Sequence, residues 1–167
     1  MICMKNLIIS SLCILCLIGC QKNDIEVHNG DNTSLPKLTE AWLVINYWAD
    51  WCPPCLKEMP ELVEFANQNK DINVYAFNFD QLDIEDLDPQ IKRFGVDIPS
   101  MLTYPGDIWG MESPQTLPAT YFISTEGVVV KSLFKPQTAE TLNVILSEVR
   151  DQKSVSYTHL RAHETRG

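Results

Sequence analysis

Two near-continuous apolar runs stand out along the chain, residues 43–48 (LVINYW) and 72–79 (INVYAFNF). Runs of this length, rich in β-branched and aromatic side chains, predict strands buried on both faces. Between them the period changes. From Pro54 to about Gln68 the apolar positions Leu56, Met59, Leu62, Val63 and Phe65 or Ala66 recur at helical spacing, with Glu58, Glu61 and Glu64 expected on an acidic outer face. Asp88-Pro89 reads as a capped helix start and Gly95 as that short helix's end. Residues 120–123 and 128–133 read as a hairpin turning at Thr125-Glu126-Gly127. Thr138 caps a last helix to about Arg150, with Leu142, Ile145, Leu146 and Val149 along one face. Strand, helix, strand, helix, hairpin, helix predicts an α/β fold, a three-layer α/β/α sandwich with a mixed sheet.

The ends follow other patterns. Lys5 precedes an apolar stretch at residues 7–18 that is apolar all round and too short for a stable membrane span. Leu17-Ile18-Gly19-Cys20 resembles the bacterial lipobox, so residues 1–20 are expected to be a lipoprotein signal peptide with Cys20 as the lipid anchor. Met4-Lys5-Asn6 is a more usual start than Met1. Residues 21–34, polar and containing Asn29-Gly30-Asp31-Asn32, read as a flexible tether, and 35–153 as the folded domain. From Val155 to Thr165 (VSYTHLRAHET) the chain resembles, residue for residue, the translation of a transposase-type sequencing adapter. Residues 154–167 are therefore expected to be foreign, and His159 and His163 are set aside as metal ligands.

Composition narrows the function classes. The 167 residues are 45% hydrophobic, which excludes wholesale disorder, and 22 acids against 13 bases give a net charge of −9. Setting aside both ends removes Lys5, Arg161, Arg166 and Glu164, leaving 10 bases, 21 acids and a net charge of −11. Nucleic acid is not an expected partner of such a chain.

Of the six cysteines, Cys3, Cys13, Cys16 and Cys20 leave with the signal or carry lipid. The C-x-x-C spacing of Cys13 and Cys16 falls inside the apolar run and is coincidence. Cys52 and Cys55 remain. One pair is too few for a structural zinc site, and the nearest histidine, His28, lies in the tether. Two cysteines spaced C-x-x-C at a helix start suit redox chemistry, because the helix N-terminus stabilises a thiolate on the first. No metal and no cofactor are expected.

The residues around the pair carry more than spacing. Asn46-Tyr47-Trp48-Ala49-Asp50-Trp51-Cys52-Pro53-Pro54-Cys55 resembles the thioredoxin active-site strand and helix start, and Lys57-Glu58-Met59-Pro60 and Thr116-Leu117-Pro118-Ala119-Thr120 match two further landmarks. Together, over residues 35–150, they resemble the membrane-tethered thioredoxin-like proteins of the TlpA, ResA and CcmG type. The resemblance implies a thioredoxin-like fold and a monomeric, exported thiol-disulfide oxidoreductase. It would reduce protein disulfides in the cell envelope and draw electrons from a membrane thiol donor. Cys52 would be the exposed nucleophile and Cys55 the buried resolving thiol. Trp51 and Pro53 would border the client, Pro118 would be a cis-proline facing the pair, and Leu117 would offer its backbone to the client peptide. Gln21, where an aspartate would resemble an inner-membrane retention signal, leans the expectation toward the outer membrane, facing the periplasm.

Asn46 departs from the thioredoxin pattern, which has a buried aspartate there; an amide cannot take and return a proton. Glu58, three residues after Cys55, is expected to replace that base, the alternative being one more acid on a wet face. Pro60 inside the helix should kink it. Between Phe79 and Pro118 the tethered subgroup has an inserted helix and strand, where partner choice would be encoded. Two other classes fit a cysteine pair: an envelope Cu(I) metallochaperone, which would want a histidine or methionine beside the motif, and a non-catalytic binding module on the same scaffold.

Overall fold

The computed structural model describes residues 24–164, with side chains to residue 152. The strands are β1 (Val27–His28), β2 (Leu43–Trp48), β3 (Asn73–Asn78), β4 (Ser100–Met101), β5 (Ala119–Ile123) and β6 (Val129–Leu133). The helices are α1 (Leu35–Leu38), α2 (Pro53–Gln68), α3 (Ile84–Phe94), α4 (Pro105–Trp109) and α5 (Ala139–Glu164). One six-stranded sheet has the order β1-β4-β3-β2-β5-β6. Its centre is parallel, with Leu43 to Trp48 of β2 in register with Asn73 to Asn78 of β3, and β3 parallel to β4. β1, β5 and β6 join antiparallel, giving the expected mixed sheet.

Every residue of β2 is buried, and its alternation feeds two cores. Val44 and Trp48 belong to the larger core, with Met59, Leu62 and Phe65 of α2, Leu87 and Ile91 of α3, and Leu142, Leu146 and Val149 of α5. Leu43, Ile45 and Tyr47 face the smaller one with Leu38 of α1, Phe77, Met101 and Tyr121; Ile108 and Trp109 of α4 cover it. Helices on both faces of one sheet make the three-layer sandwich. Burying a side chain such as Leu62 or Phe65 contributes about 2–3 kcal/mol, which makes these layers the main source of stability.

Three expectations change. The tether is packed from its described start: Ile25 and Val27 are buried, β1 pairs with β4, and Ile25 and Thr33 exchange backbone hydrogen bonds at 2.9 Å. The alternation of Ile25 and Val27 supplies the apolar face, and His28 reaches Asp88 of α3 at 3.1 Å. Second, α3 begins at Ile84 with Asp83 at its N-cap position, and the Asp88-Pro89 start falls inside it. Glu85 and Asp86 in the first turn and Lys92 and Arg93 in the last suit the helix dipole, which offsets the N–H that Pro89 lacks. Gly95 ends it in the left-handed region at φ 62°. Third, α5 continues past Arg150 to Glu164, a stretch with no glycine or proline to stop it. α3 and β4 are the helix and strand expected between Phe79 and Pro118.

Candidate active site

β2 ends at Trp48, and the chain turns at once into α2, with Cys52 N–H donating to the Ala49 carbonyl at 3.2 Å. Cys52 is the N-cap residue, its backbone extended (φ −103°, ψ 91°), and its Sγ accepts from the Cys55 N–H at 3.3 Å. Pro53 and Pro54 fill the first helical positions, where their missing N–H groups are not needed. Cys52 and Cys55 form a disulfide with Cα atoms 5.3 Å apart. At this helix start a thiolate released on Cys52 by reduction meets the Cys55 N–H and the positive end of the dipole.

The expectation of an exposed Cys52 needs correcting for this oxidised state. Cys52 is 4% exposed and Cys55 1%, both within the larger core. The exposed side chain at the mouth is Trp51, at 58%. Its Nε1 donates to Asp80 Oδ2 at 2.7 Å, and its ring meets Phe79 edge-on at 6.1 Å. Pro53 is exposed beside it.

Glu58 does not lie on an acidic outer face. It is 2% exposed and shares the inward face of α2 with Cys55, Met59, Leu62 and Phe65. Its Oε1 accepts the Gln137 backbone N–H at 3.0 Å and its Oε2 accepts Asn46 Nδ2 at 3.2 Å. Burial pushes the carboxyl up to about 7, against the two hydrogen bonds, which pull it down. It can therefore gain and lose a proton near neutral pH, one helical turn from Cys55. Of the other two acids, Glu61 is half-buried and accepts the Ala139 N–H at 2.9 Å, while Glu64 is exposed. α2 continues through Pro60 to Gln68.

On the β5 side, the Leu117–Pro118 peptide bond is cis. Pro118 is buried and Leu117 half-buried, touching both cores. Thr120 lies opposite Asn46 in the β2–β5 register, and its Oγ1 accepts Asn46 Nδ2 at 2.9 Å. Cys52, Cys55, Glu58 and Trp51 thus gather where β2 enters α2, while Leu117 and Pro118 lead into the strand paired with β2. A groove of about 550 Å³ lined by Met111, Pro114, Tyr121 and Phe134 lies apart from the disulfide, which contributes nothing to its wall.

Sequence reasoning missed Gln137, Thr120 and Asp80. They act on Glu58, Asn46 and Trp51 across separations of 79, 74 and 29 residues; Thr120 closes the Thr116-to-Thr120 landmark without a role assigned to it there, and Gln137 and Asp80 stand in no motif. Strand pairing carried the one available signal, since any hydroxyl opposite Asn46 on β5 reaches its amide.

Comparison with known proteins agrees with this geometry. The model of the AhpC/TSA family matches residues 18–132. The chain is 28% identical over 122 residues to the thiol-disulfide oxidoreductase ResA of Bacillus anthracis, covering 72% of this chain and 70% of the relative. It is 27% identical over 120 residues to the sporulation thiol-disulfide oxidoreductase A of Bacillus subtilis, covering 68% and 70%. Among solved structures, StoA from Bacillus subtilis superposes with a TM-score of 0.57 at 23% identity, covering 70% of this chain and 93% of its own. A DsbF homologue from Corynebacterium diphtheriae superposes with a TM-score of 0.61 at 19% identity, covering 74% and 83%. With its mixed sheet, its disulfide at the start of α2 and a family match over more than half its length, the chain belongs to the thioredoxin-like AhpC/TSA family.

Proposed function

We propose that this chain is a thiol-disulfide oxidoreductase that reduces protein disulfides in the cell envelope, with Cys52 as nucleophile, Cys55 as resolving thiol and Glu58 as proton acceptor. In the reduced enzyme the Cys52 thiolate attacks one sulfur of a client disulfide. The client S–S bond breaks, a mixed disulfide forms, and the first client thiolate leaves. Cys55 then passes its proton to Glu58, and its thiolate attacks Cys52 Sγ. The second client thiolate departs, the client has gained two electrons, and the Cys52–Cys55 disulfide of the present structure is restored. A membrane thiol donor returns the two electrons by the same exchange in reverse.

The observation that carries this reading is Glu58, a buried carboxyl on the same inward face of α2 as Cys55, able to ionise near neutral pH. The names carried by the relatives support it. Trp51, Pro53, Leu117 and Pro118 form the client-facing rim. The decisive experiment is reduction of insulin disulfides by dithiothreitol. Addition of the protein should accelerate it; a rate equal to dithiothreitol alone, with the cysteine pair shown to be reduced, rejects the reading.

The location proposed is the periplasmic face of a membrane, with lipid on Cys20 and the outer membrane as the destination. Residues 1–20, including this cysteine, lie outside the described residues. Among those described, no helix is long and apolar enough to cross a membrane.

A further inference from the structure

Asn46 occupies the position where thioredoxin carries its proton-exchanging aspartate, yet its amide nitrogen is fully committed. Nδ2 donates to Glu58 Oε2 at 3.2 Å and to Thr120 Oγ1 at 2.9 Å. All three residues are buried, at 1%, 2% and 1% exposure, so both bonds act in a low dielectric. The sheet fixes the geometry: Asn46 and Thr120 are directly opposed in the β2–β5 register, so the hydroxyl anchors the amide and the amide points at the carboxyl.

An amide nitrogen can only donate. It bonds an ionised carboxylate oxygen more strongly than a protonated one. From this juxtaposition we propose that Asn46 is a positioning residue: clamped by Thr120, it holds the Glu58 carboxyl one turn from Cys55 and favours its ionised form. This role rests on the reading of Glu58 as proton acceptor. Asn46 links that acceptor to β5, the strand entered through the Leu117–Pro118 bond, without itself meeting client or exchanging sulfur.

Ionisable groups on the surrounding elements include Lys57, Glu61 and Glu64 of α2, Lys135 ahead of α5, Glu140 and Glu148 within it, and Tyr47 and Tyr121 of β2 and β5. None of them sets the proton affinity of Glu58, which follows from burial, the Gln137 N–H and the Asn46 amide. Of these, Asn46 is the side chain that substitution can remove. An aspartate in its place would face Glu58 at the same short distance, and two buried carboxylates so close would share one proton.

The test is a ¹³C carboxyl NMR titration of Glu58 in the oxidised protein, alongside the pH profile of insulin reduction, in wild type, Asn46→Ala and Asn46→Asp. In Asn46→Ala the Glu58 midpoint should rise by about one pH unit, and the acid limb of the rate should move with it. Near pH 6.5 the rate should then fall several-fold and recover in alkali. In Asn46→Asp, which keeps the side-chain volume if the alanine variant fails to fold, Glu58 should titrate in two separated steps. Midpoints unchanged in both variants overturn the proposal. A midpoint that moves while the rate profile stays fixed leaves Asn46 as the residue that positions Glu58 and removes Glu58 from the chemistry. A wild type inactive toward insulin defeats the proposed function, and the titration still decides the role of Asn46.

Discussion

The indole of Trp51 is held by Asp80 through a 2.7 Å hydrogen bond that joins the tips of two adjacent parallel strands, just beyond the Trp48–Asn78 pair. The Phe79 N–H donates to the Trp48 carbonyl at 2.8 Å, tying the same tips together at the backbone. An exposed aromatic ring is thereby presented beside the disulfide in one orientation. Asp80→Ala should raise the KM for a peptide disulfide several-fold with kcat nearly unchanged, and cost under about 1 kcal/mol of stability. Time-resolved fluorescence anisotropy of Trp51 should show a freer indole. Unchanged KM and unchanged anisotropy would mean that the bond orients nothing.

The two cysteines should fail differently. Cys52→Ala should abolish insulin reduction, since no nucleophile remains, whereas Cys55→Ala should accumulate mixed disulfides that cannot resolve. Mass spectrometry under non-reducing conditions reads both. Substantial turnover by Cys52→Ala would refute the assignment.

Glu58 should leave a mark on stability as well as on rate. Its carboxyl rises from 4.5 in the unfolded chain to about 7 when folded, so between those values the folded state holds more proton than the unfolded. Its destabilising effect grows as pH climbs through that window and is complete above about 7, reaching about 3 kcal/mol. The stability of Glu58→Gln relative to wild type should therefore increase by about that amount between about pH 4 and about pH 8 in urea melts. A difference independent of pH would show that the buried group does not titrate in this range. In the rate profile, the same variant should lose the acid limb while keeping the fold.

The amino-terminal strand should contribute measurably. Ile25→Ala, at a position 2% exposed, should cost about 2–4 kcal/mol, as for other core truncations. A flexible tether would show no change in the denaturation midpoint.

Lipidation has its own test. Cys20→Ser in the full chain should move the protein from the membrane fraction to the soluble periplasm. Retention in the membrane, uncleaved, would make residues 7–18 an anchor and reject the lipoprotein reading.

What the sequence made legible was what repeats over many residues. The runs that became β2 and β3 had length enough to declare themselves, and Cys52-Pro53-Pro54-Cys55 carried its own chemistry. Strand β1 and helix α1, of two and four residues, are too short for any period and form because the edge of β4 and the smaller core accept them. The burial of Glu58 was encoded, though easily misread. It is three residues from Cys55 and four from Leu62, both inward, while the regular three-residue step from Glu58 to Glu61 to Glu64 suggested a solvated row. Gln137 meets it through a backbone N–H, which no side-chain pattern announces.

The direction of β1 has a consequence for how the domain meets lipid. Val27 pairs with Met101, Met101 with Phe77 and Phe77 with Tyr47, and β1 runs against the three parallel strands. The chain therefore enters the sheet at the end from which Cys52 emerges, three strands away, or about 14 Å. From Cys20 to Asp24 the backbone can span at most about 14 Å. Such a leash is shorter than the domain is wide. A lipid on Cys20 would tip the disulfide-bearing end toward the bilayer and hold it there, so that donors and clients embedded in or lying on the membrane come within reach ahead of those diffusing in bulk.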